Sequence, residues 1–225
     1  MKLLLFDIDG TILLTDGAGT RAINRAFEKL YGLRDAMAGI DPAGKTDPLI
    51  LSEMFGNGLS KQYTEDEAKE IYREYVLFLE EEIQISPIDI MPGIPFLLES
   101  LSSRKDMVLG IATGNIEHGA RIKLRRAGLD GHFTVGGFGS DSDNREALIR
   151  VAIERAKSHT KDGRDFEKVY VIGDTPYDII HGRAAGAVTV AVATGRYSPH
   201  ELREHDPDYL FDHLADYDNV IGIFD

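Results

Sequence analysis

The apolar run Leu3-Leu4-Leu5-Phe6 contains no polar alternation and stops abruptly at Asp7-Ile8-Asp9-Gly10-Thr11. A strand that is apolar on both faces has to be covered on both, which is the condition of parallel α/β sheets. Ligands of such sheets gather beyond the carboxyl ends of the strands, and that is where Asp7 and Asp9 stand. Their i,i+2 spacing in extended chain sends both carboxylates to one side. One can attack while the other handles protons.

Similar short apolar runs recur at 107–112, 133–135, 169–172 and 188–193, separated by helical patterns at 116–127, 145–158 and 176–185. Strand-helix alternation predicts right-handed βαβ units, hence an α/β fold with a Rossmann-like parallel sheet. Gly128 and Gly186 follow two of these helices, where a left-handed residue commonly ends a helix. The rhythm fails only between the first two strands, where residues 13–106 carry helical stretches at 20–31, 47–55 and 64–83 and no strong strand. A crossover needs only about a dozen residues. The surplus predicts an inserted all-helical cap domain, 16–89, over a core made of 1–15 and 90–225, with joints at 14–19 and 86–91. Tyr72, Tyr75, Phe78 and Leu79 share a face of the last cap helix and are expected to form its core. After the second joint, Pro92-Gly93-Ile94-Pro95 opens a helix expected to return Phe96, Leu97, Leu98 and Leu101 to the sheet.

The 225 residues carry a formal net charge of -13 and no cysteine. Disulfides, thiolate metal sites and thiol catalysis are thereby excluded. An acidic chain has no general attraction to nucleic acid or to an anionic membrane, and no stretch is long enough to span a bilayer. The N-terminal run is too short for a signal peptide, so a cytoplasmic protein, monomer or homodimer, is expected. The seven histidines, including His118, His132 and His181, show no metal-ligand spacing.

Three further polar clusters follow strands or open helices. Thr113-Gly114-Asn115 precedes a helix, whose free N–H groups and positive dipole end suit a phosphate-sized anion; a mere helix cap is the plainer reading. Asp174 follows the 169–172 strand, with Thr175 placed to cap and Pro176 to begin a helix. Asp7 and Asp174 offer hard oxygen ligands of the kind Mg²⁺ takes together with a substrate phosphate. Arg145 opens another helix and can fork onto a phosphate or onto those carboxylates.

In order, spacing and strand context, Asp7-Ile8-Asp9-Gly10-Thr11, Thr113, Arg145 and Gly173-Asp174-Thr175-Pro176-Tyr177-Asp178 resemble the four motifs of the haloacid dehalogenase-like hydrolase superfamily. The similarity is greatest to its phosphoglycolate phosphatase-like members with a helical cap, although those usually carry Lys where Arg145 stands. The resemblance implies a Mg²⁺-dependent phosphatase acting on a small phosphorylated metabolite, phosphoglycolate-like, through an aspartyl-phosphate. Asp7 would be the nucleophile and Asp9 the acid and base. Asp7, the Asp9 carbonyl and Asp174 would hold the metal, with Asp178 in support. Gly10, Thr113, Gly114, Asn115 and Arg145 would hold the phosphoryl oxygens. Lys45 and Thr46 of the cap are candidates to meet substrate. An acid at Asp9 disfavours dehalogenation, because halide leaves unprotonated. A phosphosugar mutase, a carbon-phosphorus hydrolase using Lys45 as a Schiff base, and a non-catalytic phosphometabolite-binding protein are the alternatives.

Overall fold

Strand β1 (Lys2–Phe6) is buried along its whole length, in a computed structural model that describes residues 1–160 and 165–225. Its alternate residues serve two layers. Leu4 and Phe6 join one apolar cluster and Leu3 and Leu5 another on the opposite face, the period-2 consequence of a strand covered on both sides. Leu13–Leu14 (β2) and Asp89–Ile90 (β3) pair antiparallel in a small separate ribbon. The remaining strands are Met107–Ala112 (β4), Val135–Gly137 (β5), Lys168–Gly173 (β6), Val188–Val192 (β7) and Tyr209–Phe211 (β8). They form with β1 a six-stranded parallel sheet in the order β5-β4-β1-β6-β7-β8. β1 thus lies in the middle, beside both β4 and β6, and the polar ends of all three strands meet at one edge.

Between the two ribbon strands the chain is helical: α1 (Ala18–Tyr31), α2 (Asp47–Leu59) and α3 (Glu65–Ile85). Helix α3 begins with a capping box, in which Thr64 and Glu67 satisfy each other's backbone N–H groups. These helices bury an apolar cluster of their own around Phe27, Phe55, Ile71 and Leu79. Arg21 and Arg25 of α1 reach Glu82 of α3 at 2.9 and 2.8 Å, which fixes the α1–α3 pair.

Helices α4 (Ile94–Ser102), α5 (Glu117–Arg126) and α9 (Tyr217–Gly222) lie on the Leu4/Phe6 face, and α6 (Arg145–His159) on the other. Helix α7 (Pro176–Ala184) follows β6, and α8 (Pro199–Arg203) packs near β8. Ile116 and Ile122 of the α5 region belong to the cluster of the inserted helices, so α5 is shared by sheet and insert.

Three expectations change. The third core strand runs Val135–Gly137, not 133–135, because Asp130–His132 takes a short 3₁₀ turn that delays entry. Glycine is needed at its end: a Cβ on Gly137 would come within 1.9 Å of the Leu148 carbonyl of α6. Phe96 does not return to the sheet; it is 62% exposed and sets its ring edge-on against Tyr217, centroids 4.7 Å apart. Strands β2, β3 and β8 escaped the sequence reading because runs of two or three residues show no period.

Gly137→Ala is expected to destabilise the fold by about 1–3 kcal/mol through overpacking of α6 on β5. A denaturant melt with unchanged slope and lowered midpoint is the readout; an unchanged midpoint would mean that α6 moves aside freely.

Candidate active site

Beyond Phe6 the chain leaves the sheet in a tight turn. The Asp7 N–H still pairs with the Ile172 carbonyl of β6 at 2.9 Å, and the N–H groups of Ile12 and Leu13 both donate to the Ile8 carbonyl. Gly10 has φ +86°, which favours glycine. A Cβ there would also lie 2.4 Å from the Asp174 carboxylate. The sequence assigned the Gly10 N–H to a phosphoryl oxygen. The structure instead commits it to the Leu13 carbonyl at 3.0 Å, so Gly10 shapes the turn and gives Asp174 room.

Asp7, Asp174 and Asp178 are all buried, and one oxygen from each lies within 4.8 Å of the others. Arg145 sits among them, also buried, with its Nη2 2.9 Å from Asp7. The same guanidinium donates to Asp178 Oδ1 through Nε at 3.1 Å and through Nη2. The other oxygen of Asp178 accepts the Thr175 N–H at 3.0 Å and its hydroxyl at 2.7 Å. Asp178 is therefore fully hydrogen-bonded by protein and holds Arg145 in place. Asp174 is less satisfied. Its Oδ1 accepts from Thr11 at 2.9 Å, while Oδ2 faces the bare backbones of Gly10 and Gly195.

Three carboxylates and one guanidinium leave two negative charges in a buried space. Burial pushes Asp7 up to about 6 even though Arg145 pulls it down, and the charges of Asp178 and Asp9 add to the rise. Burial likewise pushes Asp174 up to about 8, reinforced by Asp178 and Asp7. Burial alone would lower the guanidinium of Arg145, but Asp178 and Asp7 outweigh it and hold it above its ordinary value. An unbalanced cluster of hard oxygens is what a divalent cation neutralises. The donor set fits such an ion.

Asp9 is held differently. The Lys123 ammonium lies 2.7 and 2.6 Å from its two oxygens, and Asn115 Nδ2 donates to Oδ2 at 2.8 Å. Lys123 also donates to Asn115 Oδ1 at 2.7 Å. Sequence reasoning missed Lys123, although a signal existed: Gly119 and Lys123 share one face of α5, directly behind Asn115. Thr113, buried at the end of β4, accepts from Asn115 Nδ2 at 2.9 Å.

The inserted helices meet the site at the start of α5. The Asp47 N–H donates to the Gly114 carbonyl at 2.7 Å, and Asp47 Oδ2 accepts the Ile116 N–H at 2.8 Å. The N-terminus of α5 is thus capped by Asp47 of the insert and by Ser140, whose hydroxyl accepts the Glu117 N–H at 3.2 Å, not by Thr113 or Asn115. Gly114 is required for this approach, since a Cβ there would lie 2.2 Å from the Lys45 carbonyl. Burial pushes Asp47 up to about 6, against the opposing pull of Ile116 and Lys123. Between insert and strand ends lies a cavity of about 690 Å³ whose walls include Asp7, Asp9, Thr113, Asn115, Lys123, Arg145 and Asp174.

Residues 4–192 match the family model for haloacid dehalogenase-like hydrolases. The chain belongs to that family. Among curated relatives, a pyrophosphatase PpaX of Listeria monocytogenes serotype 4b is 26% identical over 218 residues, covering 95% of this chain and 93% of the relative. PpaX of Halalkalibacterium halodurans is 25% identical, with coverages of 98% and 96%. A predicted phosphoglycolate phosphatase from Haemophilus somnus 129pt superposes with a TM-score of 0.70 at 20% identity, over 100% of this chain and 98% of the other. That likeness is one of fold.

In this haloacid dehalogenase-like hydrolase, four motif regions that are distant in sequence come together at one cavity, and Arg145 occupies the cationic place between Asp7 and Asp178. The two insert candidates separate. Lys45 lines the cavity but pairs with Glu53 at 2.6 Å. Thr46 is buried away from it and gives its hydroxyl to the Asp143 carbonyl at 3.0 Å, joining insert to core instead of facing substrate. The histidines named from the sequence stay outside the acidic cluster; His132, for example, pairs with Ser102. Among the described residues no helix is long and apolar enough to cross a membrane.

Two outcomes follow. Asp7 and Asp174 have folded-state values raised from 3.8 to about 6 and about 8, so between those limits the folded metal-free chain binds more protons than the unfolded one. Its stability should fall as pH rises through that window. A divalent cation competes with those protons, so the gain in Tm from added Mg²⁺ should be larger at pH 8 than at pH 5. An equal gain at both values in scanning fluorimetry would detach the acids from the ion. Separately, Lys123→Met should lower kcat by about 10-fold or more, within the range of general acid–base contributions, and alter the pH–rate profile while the fold persists. An unchanged profile would make Lys123 merely structural.

Proposed function

We propose that the chain hydrolyses the phosphomonoester of a small metabolite, with Asp7 as nucleophile and Mg²⁺ as the divalent ion. The observation that carries this reading is the placement of Asp7 at the end of the central strand, beside Arg145 at 2.9 Å and within a buried acidic cluster, with Asp9 two residues on. A carboxylate so placed can attack phosphorus. The Asp7 oxygen forms a bond to phosphorus while the bond to the ester oxygen breaks, and protonated Asp9 gives its proton to the departing alkoxide. Asp9 then takes a proton from water, whose oxygen attacks the aspartyl-phosphate and releases phosphate with the Asp7 carboxylate restored.

The chain's own residues supply most of the positioning. Arg145, locked by Asp178, and Thr113 face the transferring group, which needs fixed donors more than covalent chemistry. Lys123 and Asn115 fix the Asp9 carboxylate in place. Mg²⁺ held by Asp7, Asp174 and the Asp9 carbonyl would supply charge neutralisation for the phosphoryl oxygens. The inserted helices serve as a cap that encloses the cavity and limits water, with Asp47 docked on α5.

Asp7→Asn should reduce hydrolysis of p-nitrophenyl phosphate in the presence of Mg²⁺ by about 10³-fold or more, with the fold retained by circular dichroism. Covalent labelling of the wild type by a phosphorylated substrate should be lost with it. Residual turnover close to wild type would remove Asp7 from the nucleophile's place.

A further inference from the structure

The cavity above the strand ends is divided in character. Its floor carries the charged groups already described. One part of the side supplied by the inserted segment is apolar, formed by Ile23, Met37, Ile50, Leu51 and Met54 together with the rings of Tyr72 and Tyr75. A space of about 690 Å³ falls in the range that encloses ligands much larger than a two-carbon acid.

The charges of the walls are unfavourable to a second anion. Six acids line the cavity, Asp7, Asp9, Asp16, Asp41, Asp47 and Asp174, against four cations. Each cation already has an acidic partner. Arg145 holds Asp7 and Asp178, Lys123 holds Asp9 at 2.6 Å, Lys45 holds Glu53 at 2.6 Å, and Arg196 at the exposed rim holds Asp41 at 2.6 Å. A substrate carboxylate or second phosphate entering the apolar side would be desolvated without a free cation to meet it, which is costly.

We propose that the alcohol released by this enzyme is a neutral, largely apolar group. This preference rests on the phosphomonoesterase reading and sets the chain apart from enzymes that act on phosphoglycolate or inorganic pyrophosphate. The apolar wall takes the hydrocarbon, and the paired cations leave nothing to reward extra charge.

The test compares hexyl phosphate, 2-butoxyethyl phosphate, phosphoglycolate and inorganic pyrophosphate as substrates with Mg²⁺, with p-nitrophenyl phosphate as the generic ester. The two neutral-alcohol esters should exceed phosphoglycolate and pyrophosphate in kcat/KM by at least about 10-fold. Ile23→Arg, which adds an unpaired cation to the wall, should reverse the order in favour of phosphoglycolate. Faster turnover of phosphoglycolate or pyrophosphate by the unaltered chain would overturn the proposal, as would an order of preference left unchanged by Ile23→Arg. If no ester at all is hydrolysed, the phosphatase reading fails by itself. Calorimetric binding of hexyl phosphate in preference to phosphoglycolate would then still support the ligand preference, and its absence would overturn that too.

Discussion

Three carboxylates, two at strand ends and one in the first turn of α7, share a buried space with a single guanidinium, and most of the site follows from that imbalance. Burying like charges together is unfavourable unless something compensates them. Arg145 compensates one charge and is itself fixed by Asp178, whose remaining oxygen is occupied by Thr175. What is left over around Asp7 and Asp174 is the electrostatic demand for a cation and for a group that brings more oxygens. The glycines at positions 10 and 195 belong to the same arrangement, because any side chain there would displace the Asp174 carboxylate.

Asp9 belongs to a different electrostatic setting although it is only two residues from Asp7. Its side chain is 40% exposed and is held by Lys123, whereas Asp7 is buried against Arg145. Two acids of one short segment thereby receive different cations and different solvent access, a separation of environments that suits them to different roles. The inserted helices contribute to both settings. Asp47 caps α5, the helix that carries Lys123, and Tyr72 and the apolar wall close over the space where a substrate's alcohol would lie.

The sequence identified the sheet because a run such as Leu3-Leu4-Leu5-Phe6 can be satisfied only by cover on both faces, and it identified Asp7, Asp9, Thr113 and Asp174 because strand ends are where such sheets bind. It was weaker wherever a residue's role depends on what lies opposite. Phe96 reads as core by pattern but finds Tyr217 at the surface. Gly10 reads as a phosphate-binding amide but closes its own turn. Thr46 reads as a substrate contact but joins insert to core.

By itself, then, the chain's order of residues determined the α/β architecture, the helical interruption and the types of chemical group at the strand ends, because these depend on local periodicity and on neighbours along the backbone. Only tertiary structure decided that Lys123 clamps Asp9, that Asp178 serves Arg145, that Asp47 caps a helix nearly seventy residues further on, and that the cations of the cavity are already paired. Those facts concern distances between groups far apart in sequence, and the packing of helices on a sheet sets such distances where no spacing rule along the chain can.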